Sequence, residues 1–342
     1  MSPFVNEAAW IPSPNTRPLQ LGPGPTPDPA ENEVVIKVAY AAVNPVDWKV
    51  QDFPGIPLPY PFIFGTDVAG TVAQVGSQVT RFHLGQRVIG HCDGFHTKKA
   101  TNAAYQLYST CNEILVSPVP ESLPLANAAV LPIAVDTAAT ALYAHLKLPL
   151  PTLAPKPIGK RILIWGGSSS VGTAAIQLAV ASGLEVVTTA SSANHELMKS
   201  LGATHVFNYK DPDTVNNLTA LLKPQDYVVD CISTKDTQVT CGEILGKVGG
   251  GLLPVMTIPE ETLPDNVQSS FVICLDIETK FPHLGEAIWH DFIPRALAAG
   301  SFQAKPDPQI VYGGLSKVQE AIDLQRKGVS ARKVVVEISP ED

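Results

Sequence analysis

The residues Ile162-Leu163-Ile164-Trp165-Gly166-Gly167-Ser168-Ser169-Ser170-Val171-Gly172 place an apolar run, a glycine turn and the start of an apolar helical pattern in immediate succession. That order suits the binding of a pyrophosphate. Gly166 and Gly167 let the chain turn tightly, the amides of Ser168, Ser169, Ser170 and Val171 and the helix start face the anion, and Gly172 lets helix and strand approach. No side-chain charge is needed. A triphosphate-binding P-loop is excluded because no Gly-Lys-Ser/Thr follows the turn.

About 20 residues after the turn, a site for NAD calls for a carboxylate that accepts from the adenine ribose. The stretch Thr188–His195 contains none; it offers Ser191, Ser192 and Asn194 instead. Small polar groups leave room for a 2′-phosphate and can donate to it, whereas a carboxylate would repel it, so NADPH is expected over NADH. The stretch has no cation of its own, which leaves Lys199 or Arg332 to supply one. Metal chemistry finds less support. Five cysteines (Cys92, Cys111, Cys231, Cys241 and Cys274) are scattered without Cys-x-x-Cys spacing, and His91, Cys92, Asp93 and His96 match no zinc pattern. Those four are expected in a surface loop.

The elements that must hold these groups fall into two textures. Between Pro12–Pro29 and Pro54–Pro61 lies the β-branched run Glu33–Tyr40, and Gly65–Val75 and Arg87–Gly90 add short strands, so the first third reads as mainly β. From Arg161 onward strand and helix patterns alternate. Strands are expected at Ile162–Trp165, Glu185–Thr189, His205–Phe207, Tyr227–Cys231, Leu252–Met256 and Phe271–Leu275, with helices at Val171–Ser182, His195–Leu201 and near Asp213–Leu222. Six parallel strands make a doubly wound sheet. The last strand, Lys333–Ile338, has no place in that sheet and is expected to return to the first domain. Gly249–Gly251 and Pro254, placed on an edge strand, would weaken pairing between copies. Monomer and homodimer both stay open.

With 342 residues the chain suffices for two domains, and 45% hydrophobic against 16% charged residues is globular composition. The formal charge of −8 argues against nucleic acid as a partner. The apolar tract Ala126–Leu146 reads as a buried helix, and without an apolar leader or membrane span the expectation is a cytoplasmic protein.

At this point the chain resembles the medium-chain dehydrogenase/reductase superfamily, in its zinc-less quinone oxidoreductase and enoyl reductase branches. The resemblance rests on Asn44-Pro45-Val46-Asp47-Trp48-Lys49, Gly65-Thr66-Asp67-Val68-Ala69-Gly70, Phe82–Val88, the glycine turn, Leu201-Gly202-Ala203, Gly313-Gly314-Leu315 and Lys327–Val335. The closest likeness is to fungal trans-acting enoyl reductases of polyketide biosynthesis. It implies a GroES-like, mainly-β catalytic domain over 1–130, completed by 291–342, and a Rossmann domain over 131–290. The positions that carry catalytic zinc in other branches match Asn44, Thr66 and Ile133, which cannot form that site.

The same resemblance implies an NADPH-dependent reduction of an α,β-unsaturated carbonyl or enoyl thioester, presented as a small molecule or on a carrier protein, with a polyketide synthase as a possible partner. Lys49 and Thr137 are implied as donors to the carbonyl oxygen as it becomes an enolate. Asn44 and Asp47 orient their loop toward the cofactor, and Tyr209 resembles a tyrosine beside the adenosine 2′-phosphate. Phe53, Tyr60, Phe62 and His283 or Trp289 are expected as pocket walls. The alternatives are an NADPH quinone oxidoreductase and, from another class, a dinucleotide-binding protein without catalysis.

Overall fold

A computed structural model describes residues 5–259 and 263–340 and divides into two compact units. The first comprises Met1–Ile133, Ile293–Gly300 and Asp307–Asp342; the second comprises Ala134–Phe292 and Ser301–Pro306.

The first unit begins with strands β1 (Glu7–Ile11), β2 (Gln20–Pro23), β3 (Glu33–Ala42), β4 (Phe62–Ile63), β5 (Asp67–Val75), β6 (Arg87–His91), β7 (Tyr108–Asn112) and β8 (Val116–Pro118). β3 is its spine: ten mostly buried residues, Val, Ile and Ala above all, suit a central strand with neighbours on both sides. It pairs antiparallel with β5 and with β7, while β6 joins β5 to β8. Between β3 and β4 the helix Pro45–Asp52 opens on a proline at its first position, where the missing N–H costs nothing.

The second unit contains β9 (Arg161–Trp165), β10 (Glu185–Ala190), β11 (His205–Asn208), β12 (Tyr227–Asp230), β13 (Gly251–Val255) and β14 (Val267–Phe271). All six are parallel, in the order β11-β10-β9-β12-β13-β14. The chain therefore reverses direction of growth at β9, the doubly wound topology that leaves a crevice at the strands' carboxyl ends. Helices Ser170–Ala181, His195–Ser200 and Thr214–Leu221 fall within a residue or two of their expected positions.

Two expectations for this sheet need correcting. The sixth strand is Val267–Phe271, with the polar centre Gln268-Ser269-Ser270, rather than the apolar Phe271–Leu275. An outer strand with one open side does not need an apolar sequence. Val272 and Leu275 are buried beyond the strand, in the turn that leads to the next helix. In addition, the strand with Gly251 and Pro254 is not an edge: β13 lies between β12 and β14. Pro254 has no N–H to give, and β13 meets β12 at the single pair Asp230↔Val255 while pairing with β14 along its whole length.

The chain then returns to the first unit with β15 (Pro308–Val311), the helix Val318–Lys327 and β16 (Lys333–Glu337). As expected, the terminal strand leaves the parallel sheet. β16 pairs antiparallel with the end of β3, Val335 opposite Ala42, and parallel with β15. Ser301–Pro306 stays with the second unit, where Gln177 and Thr173 bond to the backbone of Gln303 and Lys305. The helical path Leu125–His145 is long and apolar enough to cross a membrane, but it is mostly buried within the protein.

Candidate functional site

In the second unit the turn after β9 is shaped by its own backbone. Gly166 has φ +81°, a conformation that side chains disfavour. Its N–H donates to Thr189 Oγ1 at 3.0 Å and the N–H of Gly167 donates to the carbonyl of Thr189 at 2.9 Å, which ties the turn to the end of β10. Ser169 caps the following helix, its Oγ accepting from the Gly172 N–H at 3.0 Å and donating to the Gly166 carbonyl at 2.8 Å. A Cβ on Gly172 would lie 2.3 Å from that carbonyl oxygen, so no other residue fits without moving the turn. Ser168, Ser170 and Val171 are only partly buried.

The ends of β10 and β11 meet beside this turn. Asn194 donates to Ser191 Oγ at 3.1 Å, and Asn208 donates to Ser192 Oγ at 3.0 Å. Tyr209 follows, half exposed, with the Lys210 ammonium 5.9 Å from its ring centre. Lys199 is exposed and pairs with Glu196 at 2.8 Å. Arg332, the other suggested cation, belongs to the first unit and pairs with Asp307 at 3.7 Å. Asn208 and Lys210 were missed in the sequence. Their signal, a polar pair after a short strand, is too common to read alone.

The first unit holds a buried polar cluster around Asn44. The Asn44 Nδ2 donates to Thr66 Oγ1 and to Asp67 Oδ2, both at 2.9 Å, and its Oδ1 accepts from the Lys333 ammonium. Lys333 also pairs with Asp67 Oδ2 at 3.3 Å, and Asp67 Oδ1 accepts from the Ile133 N–H at 2.8 Å. Asp47 Oδ2 accepts from the Asn44 N–H and from the Tyr105 hydroxyl, each at 2.8 Å. The three positions matched to zinc ligands therefore do converge, but as an amide bonded to a hydroxyl and a backbone N–H bonded to a carboxylate. Asn44 and Thr66 already use their polar atoms on each other and on Asp67 and Lys333, and Ile133 offers no donor atom, so the set does not fit zinc. Among the described residues no group of three His, Cys, Asp or Glu could hold a metal ion.

Burial pushes the Asp47 carboxyl up to about 7, opposed by its two hydrogen bonds; Asp67 raises it further and Lys333 lowers it. Its Oδ1 is buried without a partner. Lys49, two residues along the same helix, is exposed, its ammonium 5.9 Å from the Trp48 ring centre. Thr137 lies in the second unit, 9% exposed, on the helix Pro132–Ala139.

Two further expectations are overturned. His91, Cys92 and Asp93 are buried rather than on a surface loop, because His91 ends β6 and the two residues after it stay against the core, where Cys92 donates its N–H to the Thr66 carbonyl. Of the aromatic pocket walls, Phe62 and Trp289 are core residues at 1% and 0% exposure, with the Trp289 indole N–H bonded to Asp136 at 2.5 Å. Phe53 and His283 are exposed and Tyr60 is half-buried.

Comparison with known proteins agrees with this architecture. Residues 30–121 match the alcohol dehydrogenase GroES-like domain, and residues 170–277 match the zinc-binding dehydrogenase family. A trans-enoyl reductase, himH of Aspergillus japonicus, is 63% identical over 339 residues, which cover 99% of each chain. Among solved structures, an alcohol dehydrogenase superfamily protein from Novosphingobium aromaticivorans superimposes with a TM-score of 0.80 at 24% identity, covering 98% of this chain and all of the other. The CurK enoyl reductase does so with a TM-score of 0.76 at 21% identity and the same coverage. At those identities the two structures speak for the fold.

Proposed function

The chain belongs to the medium-chain dehydrogenase/reductase superfamily of oxidoreductases, and from that premise we propose that it is an NADPH-dependent, zinc-independent enoyl reductase of the cytoplasm. Its substrate is an α,β-unsaturated carbonyl or enoyl thioester, carried in trans on a polyketide synthase. The observation that carries this reading is the Asn44–Thr66–Asp67–Lys333 cluster, which fills with hydrogen bonds the place where a metal-dependent relative would need thiolate and imidazole ligands. The 63% identity with a trans-enoyl reductase supports the substrate class.

The bound cofactor supplies a hydride. The amides of Ser168, Ser170 and Val171 at the helix start would hold its pyrophosphate, on a turn whose other amides are tied back to Thr189, Gly166 and Ser169 and whose close packing requires Gly172. Ser191, Ser192 and Asn194 donate to the 2′-phosphate, Tyr209 flanks the adenosine, and Lys199 and Lys210, exposed on the segments either side, supply positive charge. With cofactor and substrate bound, Lys49 and Thr137 would each serve as a hydrogen-bond donor to the substrate's carbonyl oxygen as it gains negative charge, and water would supply the proton that completes the α-carbon. Asn44 and Asp47 hold the helix that bears Lys49.

The test is NADPH oxidation, followed at its near-ultraviolet absorbance, with enones, quinones and enoyl thioesters, alongside metal analysis. Turnover of the thioesters and enones with less than stoichiometric zinc is expected. Stoichiometric zinc, or turnover of quinones alone, overturns the proposal.

A further inference from the structure

We propose that Lys333 is a positioning residue: its buried ammonium, held between Asn44 and Asp67, fixes the start of the helix that presents Lys49. The effect on turnover rests on the reading of Lys49 above; the effect on the helix does not.

The Lys333 side chain is 4% exposed and that of Asp67 is fully buried. A buried ammonium is held only where acceptors compensate its lost hydration. Here they are Asn44 Oδ1 and Asp67 Oδ2. Lys333 is brought there by strand pairing, since the Val43 N–H donates to the Val334 carbonyl at 2.9 Å.

Asn44 is the residue before the helix Pro45–Asp52, the position from which a side chain ordinarily caps the first amides. Here Asn44 forms a capping box with Asp47, and its carboxamide also bonds to Thr66, Asp67 and Lys333, which ties that box to the buried cluster. Besides its capping box with Asp47, the helix start is therefore anchored to the strands around it through that carboxamide, and the Lys333 ammonium dictates which way the carboxamide faces. With Oδ1 toward the cation, Nδ2 must face Thr66 and Asp67. Without the cation, Oδ1 loses its donor, the amide can rotate, and the buried Asp67 carboxylate has no counter-charge in this cluster. Asp47 and Lys49 follow Asn44 within two turns, so a loosened Asn44 reaches both.

The test compares Lys333→Met, Lys333→Arg and the double variant Lys333→Met/Asp67→Asn by amide hydrogen exchange, NADPH titration and a pH–rate profile. In Lys333→Met, exchange across 44–52 is expected to rise about tenfold or more while strands β9 to β13 keep their protection. The turnover number is expected to fall roughly tenfold or more with NADPH affinity little changed, because geometry is lost rather than cofactor contacts. A pH–rate limb belonging to Asp47 moves upward, since the ammonium that lowers its pKa is gone. Lys333→Arg restores protection and rate. Wild-type exchange at 44–52 in Lys333→Met overturns the proposal, whether or not the protein reduces any enone. Should Lys333→Met not fold, the charge-neutral double variant decides: protection at 44–52 and a turnover number equal to wild type overturn the proposal, and loss of both supports it. A wild-type protein inactive on every acceptor would sink the proposed function and leave the exchange result standing.

Discussion

The two units solve the problem of holding charge in opposite ways. Around Gly166–Gly172 the proposed anion site is made of backbone: amides, a helix start and the absence of side chains, with Ser169 fixing the turn. Around Asn44 everything is side chain: a cation, two carboxyl groups and an amide buried together, each depending on the others. A backbone site tolerates most changes around it but no added atom. A side-chain cluster tolerates no missing member.

The largest effect should come from breaking the cluster on one side. Asp67→Ala leaves the Lys333 ammonium buried without its counter-charge, and about 3–5 kcal/mol of stability is expected to be lost, measured by urea unfolding. A cost under 1 kcal/mol would mean that the two regions are alike in tolerance.

Next comes the pH dependence of Asp47. Its carboxyl, ordinarily near 3.8, is raised to about 7 by burial, so the native state keeps a proton that the unfolded chain releases. That stabilising contribution is present in full below about pH 4 and is lost as pH rises through 7, a difference on the order of 4 kcal/mol at most. Asp47→Asn should flatten the stability profile between pH 4 and 7; an unchanged profile would place the titrating group elsewhere.

In the backbone site, Gly172→Val puts a Cβ against the Gly166 carbonyl. A stability loss of about 1–3 kcal/mol should accompany weakening of NADPH affinity by roughly tenfold or more, read by fluorescence titration. Smallest of all, Lys199→Ala and Lys210→Ala should each weaken NADPH severalfold and NADH hardly at all, since both side chains are exposed and their charge is screened. Equal losses for the two cofactors would remove these lysines from the 2′-phosphate.

The comparison also explains what could be read in advance. The glycine turn was legible because all its parts are contiguous: strand, turn, cap and helix lie between Arg161 and Ala181. The Asn44 cluster was legible only in fragments. Asn44 and Asp47 stood out in their motif, but Lys333, 289 residues away, opens a strand that reads as apolar on both faces, and Tyr105 sits in an unremarkable stretch. The sixth strand is hidden from the sequence for a related reason: Val267–Phe271 is polar enough to pass for a loop, and only its pairing with β13 makes it a strand.

The sequence by itself determined the elements whose cause is local: the alternation of strand and helix from Arg161 onward, the turn that only glycine can make, and the lack of a carboxylate after β10. Tertiary structure decided which distant residues share a buried space, and so which charges must neutralise each other. The physical reason is that hydrogen-bond periodicity and steric limits act over a few residues, whereas the desolvation of a charge depends on whatever the fold packs around it.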